Sequence, residues 1–317
     1  MKFRKLLLVT AFALAIPHSA YQKPLQQAIR IAPCGNSITQ ADGSHDSYRY
    51  LLWKKLIDAG IPFDFVGSMN TNWNNVNRTV DDYKGEQFDK DHEGHWGWRA
   101  DEILNKSGDN MGIWLDSYTP DMVLLHIGTN DCIQGQDNTT TQNEISQIVQ
   151  TLRNDNPQVV IFMANLIPCN ASTNASSLVN DLNGRIENLA DQLNTETSPV
   201  IFVDQNSGFI SGGDQYDGIH PNAAGEEKMA QKWFDAIDKY LNTTGNRKNA
   251  ASGNRPIRVS GSAGHRLVLV DRPDGTIGFS DGSVINLLGK TVVRTLVPGR
   301  KAGGVYVISP RGASADK

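Results

Sequence analysis

The stretch DMVLLHI, Asp121–Ile127, is apolar at almost every position and runs straight into Gly128-Thr129-Asn130-Asp131. A strand with one wet face alternates apolar and polar side chains. A near-continuous apolar run belongs to a strand covered on both faces, as in a parallel sheet. Val159–Leu166 has the same character, and shorter apolar runs occur at Ala28–Pro33, Phe63–Val66 and Val200–Val203. Between them lie stretches with helical spacing. Tyr48–Ala59 places Leu51, Leu52 and Leu56 together and stops at Gly60. Asn143–Arg153, Leu178–Leu193 and Pro221–Leu241 follow, the last with Pro221 suited to a first helical turn. Strands alternating with helices predict a parallel α/β sheet. Such sheets bind ligands beyond the C-terminal ends of their strands.

Those strand ends hold a set of polar residues with one shared chemistry. The first strand is followed by Gly35-Asn36-Ser37-Ile38-Thr39, and DMVLLHI by Gly128-Thr129-Asn130-Asp131. The last strand and a glycine-rich loop lead to Asp217-Gly218-Ile219-His220-Pro221. A serine hydroxyl is a poor nucleophile at neutral pH and needs a base. Ser37 supplies the nucleophile, His220 the base, and Asp217 an acceptor that fixes the imidazole tautomer. The oxyanion of a tetrahedral intermediate needs preorganised donors. The Asn130 amide and the N–H groups of Ser37 and Gly97, in His95-Trp96-Gly97-Trp98, are candidates. Thr39 stands where the Gly-x-Ser-x-Gly elbow of α/β-hydrolases would have its second glycine, so the pattern is not that elbow.

With these blocks in this order, the chain resembles the SGNH (GDSL-type) hydrolase superfamily, and within it carbohydrate esterase family 3, the acetylxylan esterases. The stretches that carry the resemblance are DSYRYLLWKKL from Asp46, FDFVGS from Phe63, DHEGHWGWRADEI from Asp91, LLHIGTND from Leu124 and DGIHPNAAG from Asp217. It covers roughly residues 29–241. It implies a flavodoxin-like three-layer α/β/α sandwich and removal of O-acetyl groups from xylan without a cofactor. Ser37 becomes the nucleophile, His220 the base and Asp217 its orienter, with Ser37, Gly97 and Asn130 as oxyanion donors. One position departs from the pattern. The family usually has Asp second in its first block, where this chain has Asn36. Asn keeps the size and one acceptor but removes a charge beside Ser37.

Other polar and aromatic residues have competing readings. His92-Glu93-Gly94-His95 lacks the spacing that puts two histidines on one helix face, so a catalytic metal is not expected. His126, inside a buried strand, reads as a hydrogen-bonded core histidine. Asp131 reads as a support for its loop, and Arg49 as a surface or packing residue as readily as a substrate contact. Trp73, Trp96 and Trp98 lie in loops or at a loop–helix join. Trp96 and Trp98 are the preferred candidates for stacking on sugar.

The two ends differ from the body. Lys2, Arg4 and Lys5 precede the apolar run Leu6–Ile16, then Pro17 and the small Ser19 and Ala20. This is the pattern of a secretory signal peptide over 1–20, too short to span a bilayer. Residues 21–242 form the hydrolase domain. Residues 243–255 (TTGNRKNAASGNR) are rich in Asn, Gly, Thr and Ser and read as a linker. Residues 256–317 read as a small β module, an antiparallel sandwich with strands at Arg266–Val270, Thr276–Ser280, Thr291–Leu296 and Gly304–Ile308. Residues 21–242 carry 15 basic and 30 acidic side chains, residues 243–317 carry 12 and 4. The basic module suits sorting, surface attachment or contact with an anionic polymer. The overall charge of −4 argues against nucleic acid as partner, and no later stretch is apolar enough to span a membrane. Export permits disulfides. Of Cys34, Cys132 and Cys169, the last two are the better pair.

Together these readings predict a secreted carbohydrate O-acetylesterase acting on acetylated xylan. A lipid or thioester hydrolase of the same superfamily, which needs an apolar acyl groove, is the enzymatic alternative. A non-catalytic surface protein that binds carbohydrate is the other.

Overall fold

In the computed structural model, residues 28–243 and the backbones of five short strands between 256 and 293 are described. The signal-like segment 1–20, residues 244–255 of the linker and the expected strand Gly304–Ile308 lie outside the described residues.

Apolar runs and helical stretches alternate as expected. The order is β1 (Ile29–Gly35), α1 (Ser37–Gln40), α2 (Ser47–Asp58), β2 (Phe63–Phe65), β3 (Glu93–Gly94), α3 (Ala100–Asn105), α4 (Met111–Trp114), β4 (Met122–His126) and α5 (Thr129–Ile133). There follow α6 (Asn138–Asp155), β5 (Val160–Ala164), α7 (Thr173–Leu193), β6 (Val200–Val203) and α8 (Ala223–Thr243). The strands pair in the order β2-β1-β4-β5-β6, all parallel. The two-residue β3 sits beside the upper end of β1, pairing Cys34 with Glu93 and Gly35 with Gly94. With β3 set aside, this is the flavodoxin-like order, whose switch point lies between the first strand and its neighbour across the crossover.

Two apolar clusters flank the sheet. Along β4, Met122 and Leu124 face one cluster, while Val123 and Leu125 face the other. The first cluster is covered by α2 and α8 through Leu52, Leu56, Met229, Trp233 and Ile237. The second is covered by α3, α6 and α7 through Ile103, Ile148, Leu152, Leu182 and Ile186. The period-2 alternation of a strand therefore feeds both helical layers, which explains the unbroken apolar run from Met122.

Two expectations are corrected. Pro221 lies outside α8, in a bridge to Gln215, because Asn222 caps the helix by accepting from the N–H groups of Ala224 and Gly225. Cys132 and Cys169 are not joined; all three cysteines are buried free thiols. The Cys132 thiol instead donates to Asn138 Oδ1 at 3.8 Å, and burial pushes it up to about 12. Helix α8 ends at Thr243. Of the expected C-terminal sandwich, the described residues contribute one antiparallel sheet of five short strands: Pro256–Val259, Leu267–Asp271, Thr276–Phe279, Val284–Asn286 and Thr291–Val293. Among the described residues, no helix is long and apolar enough to cross a membrane.

Candidate active site

Ser37 opens α1, a single turn that begins immediately after β1. Asn36 precedes it and caps the turn, its Oδ1 accepting from Ile38 N–H at 3.0 Å. As the first residue of the turn, Ser37 has an N–H with no intrahelical acceptor, which leaves that donor available to a ligand. The turn packs tightly against the sheet. A Cβ on Gly35 would meet the His126 carbonyl and Thr39 Oγ1, and one on Gly94 would lie 2.6 Å from Gln40 N. At these two positions glycine is required by space.

The loop before α8 brings the base to the nucleophile. His220 Nε2 lies 2.9 Å from Ser37 Oγ, and His220 Nδ1 lies 2.6 Å from Asp217 Oδ2. With the ring proton on Nδ1 donated to Asp217, Nε2 is left to accept from the serine hydroxyl. The second carboxylate oxygen, Oδ1, accepts from the N–H groups of Ile219 at 2.9 Å and His220 at 2.7 Å. Burial pushes the Asp217 carboxyl upward. The hydrogen bonds from His220 and Ile219 outweigh that and hold it below the ordinary carboxylate range. A charged Asp217 is thus available to stabilise an imidazolium. The arrangement can take a proton from Ser37 as a new bond forms at its oxygen.

Asn130 stands in α5, just past the end of β4 and across the switch point from Ser37. Its Nδ2 donates to Trp98 O at 2.9 Å, fastening α5 to the turn that contains Gly97. An amide has two N–H groups, so one remains for another acceptor. That turn closes through Trp98 N–H to His95 O at 3.2 Å, with Gly97 at φ +80°. A Cβ on Gly97 would meet nothing within 4 Å, so its backbone conformation is what favours glycine here. The turn is held from below. His95 N–H donates to Gly35 O at 3.0 Å, and Trp96 N–H to Gln40 Oε1 at 2.8 Å.

The HEGH stretch serves this scaffold. Glu93 is fully buried and saturated: Oε1 accepts from Ser68 Oγ and faces His95 Nε2, each at 2.6 Å. Its Oε2 accepts from Ser68 N–H at 2.9 Å and from the Tyr118 hydroxyl. His92 Nδ1 accepts from Gly94 N–H, and its Nε2 faces Thr71 O. Among the described residues, no group of three or more His, Cys, Asp or Glu side chains could hold a metal ion.

Ser37, His220, Asp217 and Trp96 meet directly, for the Trp96 indole stacks on the His220 ring at 4.8 Å. Trp98 does not join them. It is stacked on His95 at 4.5 Å and tilted against Trp114, with Lys106 Nζ 3.7 Å over its ring. His126 is a correction. Both its ring nitrogens are buried without a hydrogen-bond partner, and burial lowers it to about 4, so the ring is neutral. Asp131 does support its loop, with Oδ1 accepting from Ala100 N–H at 3.1 Å and burial raising it to about 7. In Asn36 the acceptor is used, while Nδ2 is buried with no partner.

Sequence reasoning left the role of Arg49 open between surface, packing and substrate contact, and missed Tyr216. Arg49 is buried and spends its guanidinium on three carbonyls: Thr39 O at 2.8 Å, Lys90 O at 2.9 Å and Gln40 O at 3.1 Å. It therefore ties the end of the Ser37 turn to the β3 approach. Tyr216 covers His220 at 5.7 Å, and its hydroxyl donates to Asp42 Oδ2 at 3.2 Å. The one signal for Arg49 was a cation at helical spacing from the buried Leu52 and Leu56; nothing local marked Tyr216.

Known proteins resemble this chain in sequence and fold. The sequence model of the GDSL-like Lipase/Acylhydrolase family matches residues 34–228, more than half of the chain. A multidomain esterase of Ruminococcus flavefaciens is 27% identical over 275 residues, 81% of this chain and 34% of that protein. The chain thus spans about a third of that relative. A family 3 carbohydrate esterase of Clostridium thermocellum is 28% identical with a TM-score of 0.56, over 69% of this chain and 99% of that one. An acetyl esterase solved with an acetate ion is also 28% identical, with a TM-score of 0.57 over 68% and 99% of the two chains.

Proposed function

Because the chain belongs to the GDSL-like lipase/acylhydrolase family, we propose that it is a serine esterase that removes O-acetyl groups from xylan outside the cell. The observation that carries this reading is the relay from Ser37 Oγ through His220 to Asp217, at 2.9 Å and 2.6 Å, on the ligand-binding edge of the sheet. Similarity to a family 3 carbohydrate esterase and to an acetyl esterase supports the choice of acyl group and substrate.

In this mechanism Ser37 Oγ attacks the acetyl carbonyl carbon while its proton passes to His220 Nε2. The carbonyl oxygen becomes an oxyanion, held by the N–H groups of Ser37 and Gly97 and by the Asn130 amide. The intermediate collapses, the sugar oxygen leaves with the proton from His220, and acetyl-Ser37 remains. Water, deprotonated by His220, attacks that ester and releases acetate, restoring Ser37. Asp217 stabilises the imidazolium at each step and stays ionised. No cofactor enters. The apolar run Leu6–Ile16 behind its three cations supports export, and the basic segment 256–317 supports attachment to a surface or an anionic polymer.

The test is acetate released from acetylated xylan, with acetyl and octanoyl nitrophenyl esters and the Ser37→Ala variant alongside. The expected result is release from xylan, preference for acetyl, and a loss of about 10⁴-fold or more in the variant. No release from xylan, with octanoyl cleaved faster, would replace this reading by lipid hydrolysis.

A further inference from the structure

His220 is one ring in a run of five. Trp73 stacks on Trp96 at 5.5 Å, Trp96 on His220 at 4.8 Å, His220 on Tyr216 at 5.7 Å and Tyr216 on His45 at 4.6 Å. The ring planes of successive members differ by only 24°, 18°, 14° and 8°. Trp96 thus has ring neighbours at His220 and at Trp73. Trp73, at the end of the run, is 41% exposed.

An indole left in water forgoes the burial that usually claims so large an apolar side chain. Here the exposure is built in. Trp73 opens a 3₁₀ turn, Trp73–Asn75, in which Asn74 and Asn75 adopt φ of +60° and +58°. Asn is the non-glycine residue that takes the left-handed conformation most readily, which suits this pair to a tight turn. The turn is tied down by the buried Asn72, whose Nδ2 donates to Asp42 O and His45 O at 2.7 Å each, and by Trp73 N–H donating to Ala41 O at 2.9 Å. Ala41 closes the Ser37 turn through its N–H to Ser37 O at 2.8 Å. The exposed indole is therefore rigidly joined to the nucleophile turn. Of the five large apolar side chains exposed among the described residues, four (Trp73, Val76, Ile210 and Tyr216) lie on the loops around this site.

We infer that Trp73 is a distal subsite that stacks a pyranose of the polysaccharide chain beyond the acetylated sugar. Its ring lies two stacking steps from His220, and a sugar on its outer face would lie a third step away. That exceeds the reach of one acetylated sugar, so the subsite selects oligosaccharides and polymer over acetylated monosaccharides. The inference rests on the polysaccharide reading given above.

The experiment compares kcat/KM on an acetylated xylo-oligosaccharide with kcat/KM on nitrophenyl acetate, for wild type, Trp73→Ala and Trp73→Tyr. Trp73→Ala should lower the ratio of the two about tenfold, mainly through KM on the oligosaccharide. Trp73→Tyr should restore most of it, since an aromatic face is what the sugar needs. A ratio unchanged in Trp73→Ala, or both activities falling together, would overturn the subsite and leave the esterase reading intact. Wild type that cleaves nitrophenyl acetate but releases nothing from the oligosaccharide would overturn the polysaccharide reading and the subsite together.

Discussion

Asn130 uses one N–H on Trp98 O and keeps the other, so it can serve two purposes: holding the Gly97 turn and meeting an oxyanion. Asn130→Ala should therefore lower kcat on nitrophenyl acetate by about 10²–10³-fold with a small change in KM. Steady-state kinetics on the purified variant check this; a loss confined to KM would remove Asn130 from transition-state stabilisation. At this scale much of the site was legible. Ser37 and Asn130 lie just past strand ends, Asp217 and His220 follow the last strand after a loop, and their side-chain chemistry names their roles. The roles of Arg49 and Tyr216 were not legible, because Arg49 holds carbonyls 9, 10 and 41 residues away and the Tyr216 hydroxyl meets Asp42 174 residues away, partners that only the fold supplies. The two tryptophans show the same limit. Trp96 and Trp98 are two residues apart in one motif, yet one stacks on His220 while the other packs under Lys106.

The element that matters most is also among the shortest. α1 has four residues, far fewer than a helix needs to be stable alone. It is held by the Asn36 cap at one end and the Arg49 guanidinium at the other. Arg49→Met would leave the carbonyls of Thr39, Gln40 and Lys90 without their buried donor, at a cost of about 1–3 kcal/mol for each one left unsatisfied. Thermal denaturation should show a lower Tm. Activity at a temperature where the variant is folded should fall through kcat, by up to about a hundredfold, as Ser37 drifts from His220. An unchanged Tm would refute the clamp. Long elements such as α6, α7 and the β4 and β5 strands were legible from periodicity and unbroken apolar runs. The short α1, α3, α4, α5 and β3 were not, since two to six residues are too few to show a period. The start of α8 was misread for a related reason: proline suits a first turn, but the Asn222 cap lay one residue on and prevailed.

Across the molecule, the helical layer formed by α2 and α8 hides a carboxyl group. Glu226 is buried near the start of α8, with Asp46, Arg49, Arg78 and His45 around it and His45 Nδ1 at 3.6 Å. Burial, aided by the Asp46 charge, raises it from 4.5 to about 8. A carboxyl raised on folding keeps its proton in the native state while the unfolded chain releases it, so this group lowers stability as pH rises between about 4.5 and 8. Glu226→Gln should match wild type in Tm near pH 4, exceed it increasingly up to about pH 8, and hold a constant advantage above that. A Tm difference independent of pH would show that Glu226 does not titrate there. The parallel sheet was legible from the alternation of strands and helices, and the three-layer arrangement from the family resemblance. The coupling of α2 to α8 was not, because their facing residues are nearly two hundred positions apart and no local pattern joins them.

The central claim is that Ser37 is the nucleophile and that His220 and Asp217 activate it. The most direct measurement is intact and peptide mass spectrometry after treatment with a fluorophosphonate, which labels an activated serine stoichiometrically. The account predicts one adduct per chain, on the peptide containing Ser37, with esterase activity lost in proportion. Labelling should be absent in Ser37→Ala and slowed by orders of magnitude in His220→Ala and Asp217→Asn. An adduct on another residue, or full activity in a chain labelled at Ser37, would contradict it.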